Sequence, residues 1–331
     1  MWYSAIRTAL FALDPERAHG LVLEALRVAG RRVRRLPSAA PIQCMGLRFP
    51  NRVGLAAGFD KNAIALDGLA SLGFGFIEVG TVTPRPQAGQ SRPRVFRLPS
   101  AGALINRLGF PNDGAAAVAA RVRRRRYQGL VGINIGKNAD TPITRAIDDY
   151  VSCWRTVRGV ADYVAVNVSS PNTSGLRELQ TRERLEPLLT ALLEERARSS
   201  PVTARTLPLL VKISPDVSVA ELSDIASLLK QLPMDGVIAT NTTLSRVGAR
   251  TGAAAQPGGL SGAPLWPLAV RSVADLRARL GPDFPIIGVG GINSPRAALA
   301  MREAGADLIQ LYTGLVFQGP SLVSRCIQAL E

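Results

Sequence analysis

Polar residues that could bind a flat, negatively charged heterocycle stand beside short apolar runs throughout this sequence. Asparagines recur at these positions, and each side-chain amide both donates and accepts hydrogen bonds, as a ring edged with carbonyl and N–H groups requires. Two lysines, Lys61 and Lys212, occur among them with few carboxylates, which indicates an anionic ligand. The asparagines are Asn106, Asn134, Asn167, Asn172 and Asn241.

Small residues end the last two apolar runs, as Gly290-Gly291 and as Thr313-Gly314. Glycine lets the backbone approach a ligand closely, and in barrels of parallel strands this is where phosphate commonly binds. We therefore expect a phosphorylated planar cofactor over the strand ends, with a small anionic heterocycle stacked on it. Taken singly, each of these residues is an ordinary turn residue or a solvated charge, so the interpretation depends on their joint occurrence.

Eight runs rich in β-branched residues, mostly separated by helical stretches, must position these side chains. Such alternation over ~250 residues predicts a (β/α)8 TIM barrel, whose site lies at the carboxyl ends of the strands. A doubly wound open sheet uses similar units, but it requires a glycine-rich turn that Gly54 and Gly58 do not form. The predicted strands are 53–57, 76–82, 130–135, 163–168, 209–213, 236–240, 285–289 and 308–312.

Residues 1–40 differ in their pattern of apolar residues from the predicted barrel, which occupies residues 41–331. They predict two short amphipathic helices, with a fresh helix start at Asp14-Pro15 and an arginine cluster from Arg31 to Arg35. Apolar faces followed by arginines are typical of helices that lie on an anionic bilayer. Two helices that merely pack on the barrel are an equal alternative.

Charge and composition restrict the function classes further. The 331 residues carry a net charge of +15, which permits binding to nucleic acid or to an anionic membrane. Aromatic residues make up only 5% and do not interleave with the arginines, so we expect no nucleic-acid partner. The single histidine, His19, excludes most zinc sites, and we expect no metal. The arginines from Arg121 to Arg126 are interpreted as a solvated helix face or a lipid contact.

The sequence resembles the dihydroorotate dehydrogenase family over nearly the whole chain, and seven segments carry the resemblance. The most specific is the string Asn-Val-Ser-Ser-Pro-Asn-Thr at 167–173, and the one departure is Phe59, where many relatives have leucine. The other segments are Ala57-Gly58-Phe59-Asp60-Lys61, Asn106-Arg107-Leu108-Gly109-Phe110, 132–138, Val211-Lys212, Ala239-Thr240-Asn241-Thr242 and 258–262.

The resemblance implies a particular kind of enzyme. Soluble members use a cysteine base and lack the N-terminal helices, whereas quinone-dependent members use serine and carry those helices. With Ser170 at the base position, this sequence is similar to the quinone-dependent kind. It would oxidise dihydroorotate to orotate with FMN and a membrane quinone, in de novo pyrimidine biosynthesis. We expect a peripheral protein, a monomer, on the anionic surface at the cytoplasmic face of the cell membrane.

The resemblance also implies roles for individual residues. Ser170 would take the C5 proton, and Lys212 would stabilise negative charge on reduced FMN. The residues expected to bind the substrate are Lys61, Asn106, Arg107, Leu108, Gly109, Phe110, Asn167, Asn172, Asn241 and Thr242. Those expected to bind FMN are Ala57, Gly58, Phe59, Asp60, Lys61, Thr81, Asn134, Asn167, Lys212, Thr240, Gly262, Gly291, Tyr312 and Thr313.

The N-terminal helices would form a tunnel from the bilayer to the flavin. By resemblance, His19, Arg97 and Tyr312 would meet the quinone head there, and the cluster from Arg31 to Arg35 would seat the helices on lipid. Two alternatives stay open. One is a basic nucleic-acid-binding protein without catalysis, and the other is a different FMN barrel or a soluble family member that uses fumarate or NAD.

Overall fold

Eight parallel strands close into a barrel in the computed structural model, which describes residues 2–30, 41–199, 206–246 and 252–331. The predicted (β/α)8 fold and all eight predicted strands are confirmed, with ends that differ by at most two residues. In chain order the barrel strands are β3 (Val53–Leu55), β4 (Phe76–Val82), β7 (Leu130–Ile135), β8 (Tyr163–Asn167), β9 (Leu209–Ile213), β10 (Gly236–Ala239), β12 (Ile286–Val289) and β13 (Leu308–Leu311).

Helices surround the barrel, and several begin at residues suited to capping. Ser218 and Glu221 form a reciprocal capping box, and Ser294 accepts a hydrogen bond from the Ala297 amide at another helix start. The helices are α1 (Trp2–Ala12), α2 (Pro15–Ala29), α3 (Leu66–Ala70), α4 (Ala115–Arg123), α5 (Ala146–Val157), α6 (Arg182–Ser199), α7 (Val219–Gln231), α8 (Trp266–Leu280), α9 (Pro295–Glu303), α10 (Thr313–Gln318) and α11 (Ser321–Leu330).

The barrel interior is apolar at its lower end. Large side chains from the strands, among them Phe76 and Tyr163, fill it in contact with one another. A hairpin of β1 (Ile42–Cys44) and β2 (Leu47–Phe49) closes this end, with Phe49 packed edge-to-face on Phe76. A second, larger apolar layer separates the strands from the helices. Among the described residues, side chains therefore fill this end of the barrel, whereas the carboxyl ends of the strands border an open cleft.

A small antiparallel sheet that was not predicted lies beside the mouth of the barrel. It joins β5 (Val95–Leu98), β6 (Ala103–Asn106) and β11 (Gly259–Gly262), so that Asn106 lies opposite Gly259. Strands β6 and β11 are about 150 residues apart in sequence, and no local pattern shows that they pair. The sheet brings two of the family-like segments to the same place.

Both predicted N-terminal helices are present. Asp14 caps α2, whose first residue is Pro15, as the sequence indicates. Helix α1 contacts the end of the barrel chain, where Tyr3 Oη donates to the Val316 carbonyl at 2.6 Å and Arg7 to that of Phe317 at 2.8 Å. Within the described ranges, every helix is too short or too polar to cross a membrane. The cluster from Arg31 to Arg35 lies outside the described residues.

The second arginine cluster has a structural role. Arg121 pairs with Asp113 at 2.6 Å, and Arg125 pairs with Asp162 at 3.2 Å. Arg121 also lies in the last turn of α4, where a positive charge complements the helix dipole. Arg121 and Arg125 therefore join α4 to neighbouring loops. The interpretation of this cluster as a solvated face did not include these ion pairs.

Candidate active site

An open cleft lies at the carboxyl ends of the barrel strands and encloses about 960 Å³, including its mouth. Lys61, Ser170 and Lys212, which the sequence places in three distant segments, line it together. Most of the other predicted site residues line it too: Ala57, Gly58, Thr81, Asn106, Leu108, Gly109, Phe110, Asn167, Asn172, Thr240, Asn241, Thr242, Gly262, Gly291, Tyr312 and Thr313.

Ser170 lies in the loop after β8 and is only 5% exposed. Its hydroxyl accepts a hydrogen bond from the Asn172 amide at 3.3 Å. Three residues further on, the hydroxyl of Thr173 is buried without a hydrogen-bond partner among the described residues. A buried serine whose oxygen accepts from a backbone amide, with a second buried hydroxyl three residues away, suits proton transfer better than serine exposed to bulk water.

Two pairs of asparagines hold one another in fixed orientations around the cleft. Asn172 Nδ2 donates to Asn106 Oδ1 at 3.0 Å, which links the loop after β8 to the small sheet. Asn241 Nδ2 donates to Asn167 Oδ1 at 3.3 Å and to the Ser169 hydroxyl at 2.9 Å. Because each amide is fixed by a neighbour, the remaining donors and acceptors are preorganised for a ligand.

Lys61 forms part of the cleft wall and lies where a second cavity begins. Its ammonium donates to the Gly58 carbonyl at 2.6 Å. Burial lowers the pKa of Lys61 to about 8, although the nearby Glu16 carboxylate opposes this effect. Lys61 is therefore mostly charged at neutral pH and can bind a carboxylate.

Glycines and hydroxyls gather at one end of the cleft, as the sequence predicts for a phosphate site. Thr313 Oγ1 lies 2.8 Å from Ser261 Oγ, next to Gly262. Gly291 has a φ of +71°, and a Cβ there would lie 2.7 Å from the Trp266 backbone. Only glycine fits this turn without moving it.

Two predicted site residues turn their side chains away from the cleft. Arg107 donates to Gln256 Oε1 at 2.9 Å and to the Pro93 carbonyl at 2.7 Å, outside the cleft lining. The buried carboxylate of Asp60 accepts the amides of Ile64 at 3.0 Å and Ala65 at 2.8 Å. The loop hydrogen bonds of Asp60 and the contacts of Arg107 with the loops around the small sheet account for both orientations.

Two further predicted residues lie next to the cleft without lining it. Asn134 is fully buried beneath Thr81 and Asn167, and both of these side chains donate to its Oδ1. Phe59 lies on the other side of the wall, edge-to-face with His19 at 5.0 Å and with Tyr312 at 5.5 Å. Asn134 thus orients residues of the cleft, and Phe59 belongs to the second cavity.

The second cavity lies beneath the N-terminal helices and is lined mainly by apolar side chains. It encloses about 1430 Å³, including its opening, and shares Lys61, Leu108 and Tyr312 with the cleft. The predicted tunnel residues His19 and Arg97 line it as well. The two cavities are therefore neighbours separated by a few side chains.

His19 is a neutral residue of this second cavity. Burial, together with the charge of Lys61, lowers the pKa of His19 from 6.5 to about 4. Its Nε2 lies 2.7 Å from the Phe59 carbonyl and must carry the ring proton to donate there. The other ring nitrogen, Nδ1, is left as an acceptor.

Arg97 has partners that the sequence did not indicate. Its guanidinium donates to the carbonyls of Leu13 at 2.7 Å and of Leu10 and Phe11 at 3.3 Å, and it lies 4.7 Å above the Phe11 ring. These carbonyls belong to the end of α1, where the last turn lacks amide donors further along the helix, although the Leu10 carbonyl also accepts from the Leu13 amide at 3.3 Å. Arg97 therefore holds α1 against the barrel as well as lining the cavity.

Sequence reasoning missed a buried carboxylate below the cleft. Glu78 in β4 is 0% exposed, and its Oε1 lies 3.6 Å from Nζ of Lys212, which is 5% exposed. An acidic residue within a strand that is otherwise apolar was the available signal, because a buried charge requires a partner.

Comparison with known proteins agrees with this geometry. The family model for dihydroorotate dehydrogenase matches residues 40–331. A protein of Aromatoleum aromaticum named dihydroorotate dehydrogenase (quinone) is 51% identical over 99% of this chain and 95% of its own. One of Nitrosospira multiformis with the same name is 51% identical over 100% of this chain and 96% of its own.

Solved structures match over nearly the same length. The ligand-free dihydroorotate dehydrogenase of Eimeria tenella is 37% identical with a TM-score of 0.89, covering 96% of this chain and 94% of that one. Its complex with ferulenol gives a TM-score of 0.86 at 37% identity, covering 96% and 90%. In sequence and fold, the chain belongs to the dihydroorotate dehydrogenase family.

Proposed function

We propose that this protein oxidises (S)-dihydroorotate to orotate, with FMN as prosthetic group and a membrane quinone as electron acceptor, in the de novo synthesis of UMP. One observation carries the proposal. Lys61, Ser170 and Lys212 line a single cleft, and that cleft adjoins an apolar cavity beneath the N-terminal helices. A polar site for a water-soluble acid beside an apolar site for a lipid is what a quinone-linked oxidation requires.

The cleft residues fit FMN. Gly262, Gly291 and Thr313 suit the phosphate, and Lys212, also in the lining, suits the pyrimidine edge of the ring. Gln310, also in the lining, has a buried Oε1 without a partner in the described residues, so it can accept a ring N–H. FMN, when bound, supplies a two-electron acceptor that takes hydride from C6 of the substrate and is reoxidised by quinone.

The chain itself must hold the substrate and move one proton. Lys61 binds the carboxylate of dihydroorotate, while Asn106, Asn172 and Asn241 hold the edges of the ring. The oxygen of Ser170 then takes the proton from C5 as the hydride leaves C6, the proton already on the hydroxyl is released, and the C5–C6 double bond of orotate forms. The Thr173 hydroxyl is available to pass this proton onward, because it has no other partner among the described residues.

The N-terminal helices are proposed to bring the quinone from a membrane surface. Four large apolar side chains are exposed on or just after these helices: Ile6 (46%), Leu13 (41%), Leu21 (57%) and Val28 (51%). Exposed apolar residues beside a cavity lined by apolar side chains favour docking on a lipid surface over docking on the polar surface of another protein. The proposal includes an anionic membrane at the cytoplasmic face and a monomeric protein.

The assay that tests the proposal uses the purified full-length protein. We expect a yellow protein whose absorbance bleaches with dihydroorotate in the absence of oxygen and returns when a quinone analogue is added. Fumarate and NAD⁺, supplied separately, should not restore the colour. A colourless protein, or reoxidation by fumarate or NAD⁺ but not by quinone, would contradict the proposal.

A sedimentation assay with vesicles tests the membrane step. We expect more binding to vesicles that contain anionic lipid than to neutral ones, and no salt-sensitive binding to a DNA duplex of matched charge density. Replacing Leu21 with Asp should abolish sedimentation and leave bleaching by dihydroorotate unchanged.

A further inference from the structure

A buried carboxylate in the floor of the cleft has no step in the proposed reaction. Glu78 lies in the middle of β4, whose seven residues are all buried. Its side chain contacts residues of four other barrel strands, so it occupies the barrel interior between the apolar lower layer and the cleft. Carboxylates are rarely placed in such a position unless they are paired.

Every described partner of Glu78 is a donor. Oε1 accepts from Asn134 Nδ2 at 2.9 Å, and Oε2 accepts from Gln310 Nε2 at 2.7 Å and from the Tyr163 hydroxyl at 2.9 Å. Burial and the charge of Glu78 raise the pKa of Tyr163 well above its usual value, so the phenol stays a donor. The arrangement suits a charged, acceptor-only carboxylate.

The orientation of one donor is fixed independently. Asn134 Oδ1 already accepts from the hydroxyl of Thr81 and from Nδ2 of Asn167 at 3.1 Å. Its Nδ2 must therefore face Glu78, and the carboxylate is connected through Asn134 to the wall of the cleft. A shift of Glu78 would therefore move Asn134 and disturb its hydrogen bonds with Thr81 and Asn167.

Lys212 receives its counter-charge from this carboxylate. Its Nζ lies 3.6 Å from Glu78 Oε1, and no other acid lies on the barrel strands of the described chain beside it. The flanking strand β8 offers only Tyr163 as a titratable group inside the barrel, and β10 offers none. Lys61 and Tyr312 face the cleft from the opposite wall.

We propose that Glu78 is a positioning residue, whose fixed negative charge keeps the Lys212 ammonium charged and held at the floor of the cleft. The inference rests on the proposed function, because Lys212 acts there toward bound FMN. A buried lysine without an anion loses its proton near neutral pH, with pKa values down to about 5–6 in extreme cases. Without Glu78, the Lys212 ammonium would be buried with no anionic partner among the described barrel strands.

The test uses FMN-loaded wild type, Glu78→Gln and Tyr163→Phe. Glutamine keeps the shape and removes the charge, and the Tyr163 hydroxyl, which now donates to the carboxylate, can instead accept from the new N–H group. Tyr163→Phe removes one hydrogen bond to the same carboxylate and keeps the charge, which makes it the matched control. The readout is the midpoint potential of bound FMN between pH 6 and pH 9, followed by its visible spectrum.

We expect the potential of Glu78→Gln to fall more steeply with pH than that of wild type, because loss of the lysine charge disfavours the reduced flavin. The rate constant of flavin reduction by dihydroorotate, relative to wild type, should fall about tenfold over the same range. Tyr163→Phe should follow wild type. Parallel pH profiles for Glu78→Gln and wild type would overturn the inference, whereas wild-type protein without FMN would overturn the proposed function instead.

A double variant covers the case in which Glu78→Gln does not yield yellow protein. In Glu78→Gln with Lys212→Met, neither buried charge remains. A higher melting temperature for the double variant than for Glu78→Gln, with both measured without FMN, would support the pairing, since removing both partners costs less than leaving one charge alone. A double variant that behaves no better than the single one would overturn it.

Discussion

The carboxylate of Glu16 and the guanidinium of Arg94 form a paired contact, with Nε and Nη2 of Arg94 lying 3.0–3.1 Å from the two oxygens. Glu16 belongs to α2, and Arg94 immediately precedes β5. Arg94 is buried and also donates to the carbonyls of Ala88 at 2.6 Å and Gln90 at 2.8 Å. The second N-terminal helix is thereby anchored to the sheet beside the active site.

Replacing Glu16 with Gln should loosen this anchor. The variant leaves a buried guanidinium without its counter-charge, although two carbonyl acceptors remain, so we expect a cost of about 1–2 kcal/mol. Limited proteolysis of the N-terminal helices should become about tenfold faster, and quinone reduction should slow, while bleaching by dihydroorotate persists. Glu24→Gln, which alters only an exposed pair with Arg27, is the control and should match wild type.

Replacing Ser170 with Ala should stop proton removal without releasing FMN. The hydroxyl has one described hydrogen bond, from the Asn172 amide, so its loss disturbs little else. We expect anaerobic flavin reduction by dihydroorotate to slow by about 100- to 10,000-fold, which is the range for general-base catalysis. Stopped-flow absorbance measures the rate, and the FMN content of the same sample shows that the site is intact. Reduction at the wild-type rate would remove Ser170 from the mechanism.

His19 should make the protein less stable in acid. The unfolded chain binds a proton at this ring near pH 6.5, whereas the folded chain binds it only near pH 4. The neutral His19 ring therefore makes its full contribution to the free energy of unfolding above pH 6.5. This contribution decreases as the pH falls toward 4, by about 2 kcal/mol at pH 5. His19→Gln keeps a donor for the Phe59 carbonyl and does not titrate. Its melting temperature should drop less between pH 7.5 and pH 5 than that of wild type, and an equal drop would contradict this assignment.

Gly291→Ala should weaken FMN binding through the shape of the turn after β12. The added Cβ would lie 2.7 Å from the backbone of Trp266, so the turn must move. We expect at least a tenfold higher dissociation constant for FMN, measured by fluorescence during reconstitution of the apoprotein. Gly281→Ala is the matched control, because Gly281 also has a positive φ, of +88°, but open space around it. It should cost about 1 kcal/mol of stability and leave FMN binding unchanged.

Local patterns were sufficient for the barrel. Each predicted strand is a short β-branched run bounded by a turn residue, and such runs form strands wherever both faces are buried. The start of α2 followed from Asp14 and Pro15 alone, which cap and begin a helix by local geometry. Residues in loops that follow strands, such as Lys61 and Ser170, were expected to lie together because parallel strands end on one rim, and both line the same cleft.

Side-chain direction within loops was beyond local patterns. Leu108, Gly109 and Phe110 line the cleft while Arg107 does not, because loop residues have no fixed period that assigns a face. The pairing of β6 with β11 depends on segments about 150 residues apart, so the small sheet was missed. The contacts of Arg97 with the end of α1 and of Lys212 with Glu78 are likewise visible only after folding.

The wall made by Lys61, Leu108 and Tyr312 has a consequence for inhibition. An apolar compound bound in the cavity beneath the helices leaves the proposed dihydroorotate site in the cleft unoccupied. Raising the concentration of dihydroorotate therefore cannot displace that compound. An orotate mimic, in contrast, competes with the acid directly. Two drugs, one for each side, would therefore be expected to occupy the same molecule together.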